Sequence, residues 1–216
     1  MPFSIKLLFS VSLDKKTHGL YLVVLLIFIL TCLGISQLLY VGGYDWTHRF
    51  ISEEGNPDKN PIGWIFFTVG ICSTAVLLIP HSIYLYRALK PTMLFLSRAN
   101  LGFLILGSIG LFIVGSVNEN IEDFHNFGAT LAFGSFGLGA FCSFILCIRK
   151  LFLRANWPPL LGFLFLYAIL ISLGAYIAVH FVQLPQSQTS RYQWTEFFTI
   201  LTYFYGMYIL ILQKKE

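Results

Sequence analysis

The sequence predicts an all-α polytopic membrane protein: a single six-helix transmembrane bundle spanning residues 1–216, with both termini cytoplasmic. Three observations carry that expectation. The 216 residues are 56% hydrophobic and only 11% charged, with a mean hydropathy of +0.74, which is too apolar for a soluble domain of this length. Six apolar runs each reach the roughly 20 residues that a membrane-spanning helix needs. The basic residues collect on alternate connections between those runs, as the positive-inside rule requires.

The runs lie at about 19–41, 62–87, 97–116, 124–148, 159–183 and 193–213. The first is long, lacks a small-x-small cleavage site and is followed by "YDWTHRF", so it reads as a retained span rather than a signal peptide. The third carries Gly102, Gly107, Gly110 and Gly115. The fourth places Gly128 with Ala132, and Ser135 with Gly139, at i,i+4 spacing; the fifth offers Ala168/Ser172 and Gly174/Ala178. Small residues at such spacing let helix backbones approach closely in lipid, so these three spans are expected to form the tight part of the bundle. Pro80 is expected to kink the second span, with His81 beside it satisfying backbone groups that the proline frees. Trp46, Trp64 and Trp194 fall at the expected outer interface and Trp157 at the inner one, as an aromatic belt requires.

Of the 14 Lys and Arg residues, 11 lie before the first span, in the second and fourth connections, or in the tail. The other three are Arg49, Lys59 and Arg191. The net charge of +4 is thus a matter of topology and implies no nucleic-acid partner. Eight of the 10 carboxylates fall on the opposite, outer side, a segregation that positive-inside sorting does not demand. The four cysteines all lie in spans and imply no disulfide framework.

Two outer segments carry the chemistry. The longest loop, "VGGYDWTHRFISEEGNPDKNPIGW" (41–64), contributes Ser52 and Glu53. The stretch "NENIEDFHNFGAT" (118–130) contributes Asn118, Glu119, Asp123 and His125. His180, near the outer end of the fifth span, and Glu196, just inside the sixth, complete the candidate polar cluster. Ionisable side chains at membrane depth are expensive and mark functional sites. Part of 118–130 has a simpler reading: Asn120 as N-cap of the fourth span, Asp123 completing a capping box, and Glu122 pairing with His125 at i,i+3. Zinc held by His48, His125 and His180 is a sharper alternative, but no H-x-x-x-H or H-E-x-x-H spacing exists, so no metal and no cofactor are expected. Ser52 with His125 has no nucleophile motif behind it. A further expectation is that His125 and Glu196, each in the first turn of its span, meet at the outer edge of the bundle.

Three segments resemble the damage-regulated autophagy modulator (DRAM) family. "ISEEGNPDKNPIGWIFF" (51–67) is similar to that family's I-S-[DE]-x-G…P…I-F segment after its first span. "NENIEDFHNFGATLAF" (118–133) is similar to its N-x-x-E…H-[DN]-x-G-A-x-x-A-F segment. "QWTEFFTILTYFYGMY" (193–208) resembles its last span, except that Trp194 here precedes Glu196. The matching positions are Ser52, Glu53, Gly55, Pro61, Asn118, His125, Gly128, Ala129 and Glu196. The wider superfamily includes proteins that remodel GPI-anchor lipids. The resemblance therefore implies a lipid-connected role, with membrane lipids as partners, and no catalytic mechanism to transfer. The expected function is lipid-headgroup binding, scaffolding or regulation of lipid composition through an outer polar vestibule. The alternatives are an enzyme remodelling or hydrolysing lipids at the outer face, and a small transporter or channel. The expected location is the cytoplasmic membrane in a prokaryote, or an endomembrane or plasma membrane in a eukaryote.

Overall fold

The computed structural model describes residues 14–152 and 185–212. Within them the chain forms five α-helices: α1 (Lys15–Leu38), α2 (Gly63–Leu89), α3 (Leu94–Ser116), α4 (Glu122–Phe152) and α5 (Gln186–Leu212). A short 3-10 helix, Ile51–Gly55, lies between α1 and α2, and no strand occurs among the described residues. Four helices, α1 to α4, are long and apolar enough to cross a membrane. The 24 residues of α1 alone extend about 36 Å, more than the roughly 30 Å hydrocarbon thickness. Lipid offers no partners to a bare backbone, so runs of this composition fold as helices that satisfy their own N–H and C=O groups. The protein is a multi-pass integral membrane protein. The fifth expected span (159–183), with His180, and Trp157 lie outside the described residues.

Local chemistry sets the helix ends. Asp14 caps α1: its carboxylate accepts from the Thr17 N–H at 2.9 Å and the Thr17 hydroxyl at 2.8 Å, and these bonds hold its pKa below the ordinary carboxylate value. Past the far end of α1, Gly42 and Gly43 adopt φ of 80° and 83°, the left-handed region that glycine enters without cost. The Asn60 side-chain oxygen accepts from the Gly63 N–H at 3.1 Å and so starts α2. Pro80 sits within α2 without ending it. The Tyr21 hydroxyl of α1 donates to the Leu77 carbonyl, in the turn where the proline ring disrupts the helical ladder. His81, expected to perform that service, is engaged elsewhere.

The glycines make the expected close packing real. A Cβ on Gly110 would lie 2.3 Å from the Ala132 backbone nitrogen and 2.7 Å from the Gly128 carbonyl oxygen, so α3 and α4 meet backbone to backbone. Gly107 receives the Phe136 ring, Gly139 receives Leu104, and Gly115 lies against Ile71 and Cys72 of α2. The α1–α5 pairing uses tyrosines instead: Tyr205 donates to the Leu22 carbonyl at 2.5 Å and Tyr208 to the Lys15 carbonyl at 2.6 Å. Two apolar clusters fill the bundle. One, around Ile29, Ile51, Phe67 and Trp194, lies beneath the 39–62 loop; the other, around Leu85, Leu104, Leu146 and Phe204, fills the half away from it. Trp194 is thus a core residue, not a member of an interfacial belt.

Candidate functional site at the roof end of the bundle

Residues 39–62 fold down as a roof over one end of the bundle. All five residues of the 3-10 helix are buried. The Ile51 N–H donates to the Gln193 side-chain oxygen of α5 at 2.9 Å, and the Ser190 hydroxyl donates to the Thr47 carbonyl at 2.9 Å. The fully buried Asn60 amide donates to the Ser36 carbonyl (3.1 Å) and the Glu54 carbonyl (3.0 Å), clamping the loop to the end of α1.

The charges of the roof are spent on one another. Glu53, 2% exposed, takes Arg49 at 3.2 Å, Lys59 at 3.3 Å and the Tyr40 hydroxyl at 3.1 Å. Lys59 also reaches Glu119 at 2.6 Å, and its own pKa is raised because the two carboxylates outweigh its partial burial. Asn56 donates to Glu119 (2.9 Å) and to the Asn120 side-chain oxygen (3.0 Å), and Asn120 donates on to Asp58 at 2.7 Å. The 118–121 turn is therefore stitched to the roof across more than 60 residues of sequence. Asn120 uses its side chain for that stitch and does not cap α4, which begins at Glu122. The Asn118 oxygen accepts from the Asn120 N–H at 3.0 Å, a local turn bond. Asp123 and Glu122 point to the surface.

His125 is buried, and its Nδ1 lies 2.7 Å from the Val117 carbonyl, which fixes the proton on that nitrogen because a carbonyl only accepts. Its expected pairing with Glu122 is thus replaced by a bond that ties the end of α3 to the start of α4. The expected hydrogen bond between His125 and Glu196 is not formed. The last helix also starts earlier than expected. Pro185 accepts the first backbone N–H groups, from Gln188 and Thr189, so α5 begins at Gln186, seven residues before the expected start. Glu196 therefore lies about 15 Å along its helix rather than in the first turn.

Glu196 has no solvent exposure, and neither carboxylate oxygen has a hydrogen-bond partner. Glu54 is half satisfied: one oxygen accepts from Gln37 at 2.8 Å and the other has no partner. Burial pushes the Glu54 carboxyl up to about 8. An aromatic stack joins the roof to α5. Trp194 lies 4.4 Å from Trp46 and 5.7 Å from Phe198, with Tyr44 edge-on at 6.0 Å. Trp46 is 46% exposed and opens the stack to the surface, while the Trp194 indole N–H finds no acceptor. Ser52 is buried next to Glu53, and no hydrogen bond joins it to His125.

The histidines considered for zinc are not assembled. His48 is exposed and bonded to Asp45 at 2.9 Å; together with the Thr47 bonds, this lowers the Asp45 carboxyl to about 2. His125 is held by Val117, and His180 lies outside the described residues. Among the described residues no three His, Cys, Asp or Glu side chains come together in a way that could hold a metal. One pair was not foreseen at all: His18 and His81, from α1 and α2, meet 2.9 Å apart in the half of the bundle away from the roof.

A family model described as "Protein of unknown function (DUF998)" matches residues 22–209, from within α1 to within α5. No curated protein and no solved structure matches the chain.

Proposed function

The chain belongs to the DUF998 family, and we propose that it binds an amine-bearing lipid headgroup at the roof end of its bundle, without chemical turnover of the lipid. The observation that carries this reading is Glu196. A buried carboxylate with both oxygens bare costs several kcal/mol unless it is neutralised or meets a cation. Glu54 adds another bare acceptor oxygen. The cations of the roof cannot fill this role, because Arg49 and Lys59 already pair with Glu53 and Glu119.

What the site lacks is donors, and a primary ammonium brings three. The exposed face of Trp46, stacked on Trp194, offers the π surface that ammonium groups favour. Arg49 and Lys59, each about two-fifths exposed at the rim, suit a phosphate lying further out. The positive-inside distribution supports an outward-facing roof. The resemblance to the damage-regulated autophagy modulators points in the same direction, toward lipids.

The test is native mass spectrometry of the protein released from bilayers containing equal phosphatidylethanolamine and phosphatidylglycerol. The expected result is selective retention of phosphatidylethanolamine by the wild type and its loss in Glu196→Gln. Equal retention of both lipids, or retention unchanged in Glu196→Gln, overturns the reading.

A further inference from the structure

The half of the bundle away from the roof holds two titratable side chains that the headgroup site does not use. His18, in the first turn of α1, and His81, directly after Pro80 in α2, are both completely buried. His18 Nε2 lies 2.9 Å from His81 Nδ1, and the rings are within 16° of parallel. Tyrosines enclose them. Tyr84 of α2 stacks on His18 at 3.9 Å, with Tyr21 of α1 at 5.9 Å and Tyr208 of α5 at 5.7 Å, while Phe204 of α5 meets His81 edge-on at 5.5 Å. Gly19 leaves room for this: a Cβ there would overlap the Tyr208 hydroxyl. The nearest acid along α1, Asp14, spends its carboxylate on Thr17, and among the described residues no carboxylate, ammonium or guanidinium is bonded to either ring. The outer nitrogen of His18, Nδ1, has no hydrogen-bond partner, and that of His81, Nε2, makes no well-formed bond and faces the Phe204 backbone.

We propose that the His18–His81 pair is a proton-relay site. Two neutral imidazoles hold two protons on four nitrogens. One proton sits between the rings, one on an outer nitrogen, and the remaining outer nitrogen is bare. A proton arriving at the bare nitrogen forms an N–H bond there. The shared proton then crosses to the other ring, and that ring's outer N–H releases its proton. One N–H bond is made and one broken at each ring, nothing is oxidised or reduced, and the pair ends in the mirror-image tautomer. Water is both source and sink, reached most directly at the start of α1.

A purely architectural bond accounts for less of what is seen. Two orphaned buried nitrogens are costly, and an amide–hydroxyl pair can bridge helices without any imidazole. Asn100, Ser143 and Tyr203 form such a bridge between α3, α4 and α5, at 2.7 and 2.8 Å, although the Asn100 side-chain oxygen is itself left without a partner.

The experiment is magic-angle-spinning NMR of full-length protein, labelled with 15N-histidine and held in liposomes. The relay predicts a through-hydrogen-bond correlation between one Nε2 and one Nδ1. Both shifts should be averaged between protonated and bare values, because the shared proton and the outer proton exchange places. His81→Gln should abolish the correlation and leave His18 in one fixed tautomer. Two outcomes overturn the proposal: a correlation whose nitrogens stay at fixed, unaveraged shifts at every pH, which is a static bond, or no correlation at all. Neither bears on the headgroup site, which lies at the other end of the bundle.

Discussion

The roof and the bundle interior both bury polar side chains, and they satisfy them to different degrees: the roof pairs most of its own, with one Glu54 oxygen left bare, while the interior leaves more of its titratable atoms without partners. In the roof, Glu53 disappears from solvent only after meeting two cations and a hydroxyl, and Asn60 spends its amide on two carbonyls and a helix start. In the interior, Glu196 keeps both oxygens bare and the histidine pair keeps two bare nitrogens. Satisfied groups define the shape of the chain. Unsatisfied ones cost stability, and a fold retains that cost where something else, a ligand or a proton, completes the partnership.

The largest effect expected breaks the scaffold beneath both regions. Gly110→Val would place side-chain atoms against the Ala132 and Gly128 backbones, which cannot yield; we expect a loss of about 3 kcal/mol or more, the upper end for overpacking. Gly102→Ala, which meets nothing within 4 Å, should leave the thermal midpoint unchanged or slightly raised. Equal losses in the two variants would show that backbone contact does not set the α3–α4 packing.

Next in size is Glu53→Ala. Arg49 and Lys59 are both partly in water and can rehydrate, so the cost should be about 1–3 kcal/mol rather than that of a fully buried pair. Chemical denaturation in detergent measures it, and a change within about 0.5 kcal/mol would contradict a structural role for the cluster.

The third prediction concerns pH. The Glu54 carboxyl ionises at about 8 when folded, against an ordinary 4.5. A raised folded pKa favours the protonated, folded form. This stabilisation is complete below the ordinary value and is lost as pH rises through about 8. The thermal midpoint of the wild type should therefore decline from mildly acidic to mildly alkaline pH, and Glu54→Gln should flatten the decline. Asp45 titrates far below this window and does not contribute.

The smallest perturbation tests which way the comparison faces. Asp58, bonded to Asn120 in the roof, and Lys90, in the turn between α2 and α3, stand at opposite ends of the bundle. Single cysteines placed there in a cysteine-free background should react with an impermeant reagent from opposite sides, with Asp58→Cys labelled from outside. Labelling of both from one side would contradict the topology.

The helices and the glycine packing were legible in the sequence because both are written locally, in apolar run length and in i,i+4 spacing. What escaped depended on distant partners. Asn120 reads as an N-cap until the fold brings Asn56 and Asp58 to it. The polar stretch "QSQTSRYQ" reads as loop, yet it is helix behind Pro185, so Glu196 is not in the first turn of its helix. His18 and His81 are 63 residues apart and share no motif. The one available hint was that each lies a few residues from the same expected face of the membrane. Ser52, Glu53, Glu119 and His125 read as members of one outer polar cluster, with Glu53 and His125 lining a vestibule; in the fold Glu53 and Glu119 pair with Lys59 in the roof and His125 joins two helices.

The most direct test of the contrast is the shift in thermal midpoint that phosphatidylethanolamine produces in lipid-free, detergent-solubilised wild type, Glu53→Gln and Glu196→Gln. Before lipid is added, Glu53→Gln should be less stable than the wild type and Glu196→Gln no less stable, since it removes a charge that has no partner. A ligand that binds only the folded form raises its stability by RT ln(1 + [L]/Kd), about 2.7 kcal/mol at a hundredfold excess over Kd. The wild type and Glu53→Gln should both gain from the lipid, and Glu196→Gln should gain nothing. A lipid-induced rise in Glu196→Gln equal to that of the wild type would contradict the account.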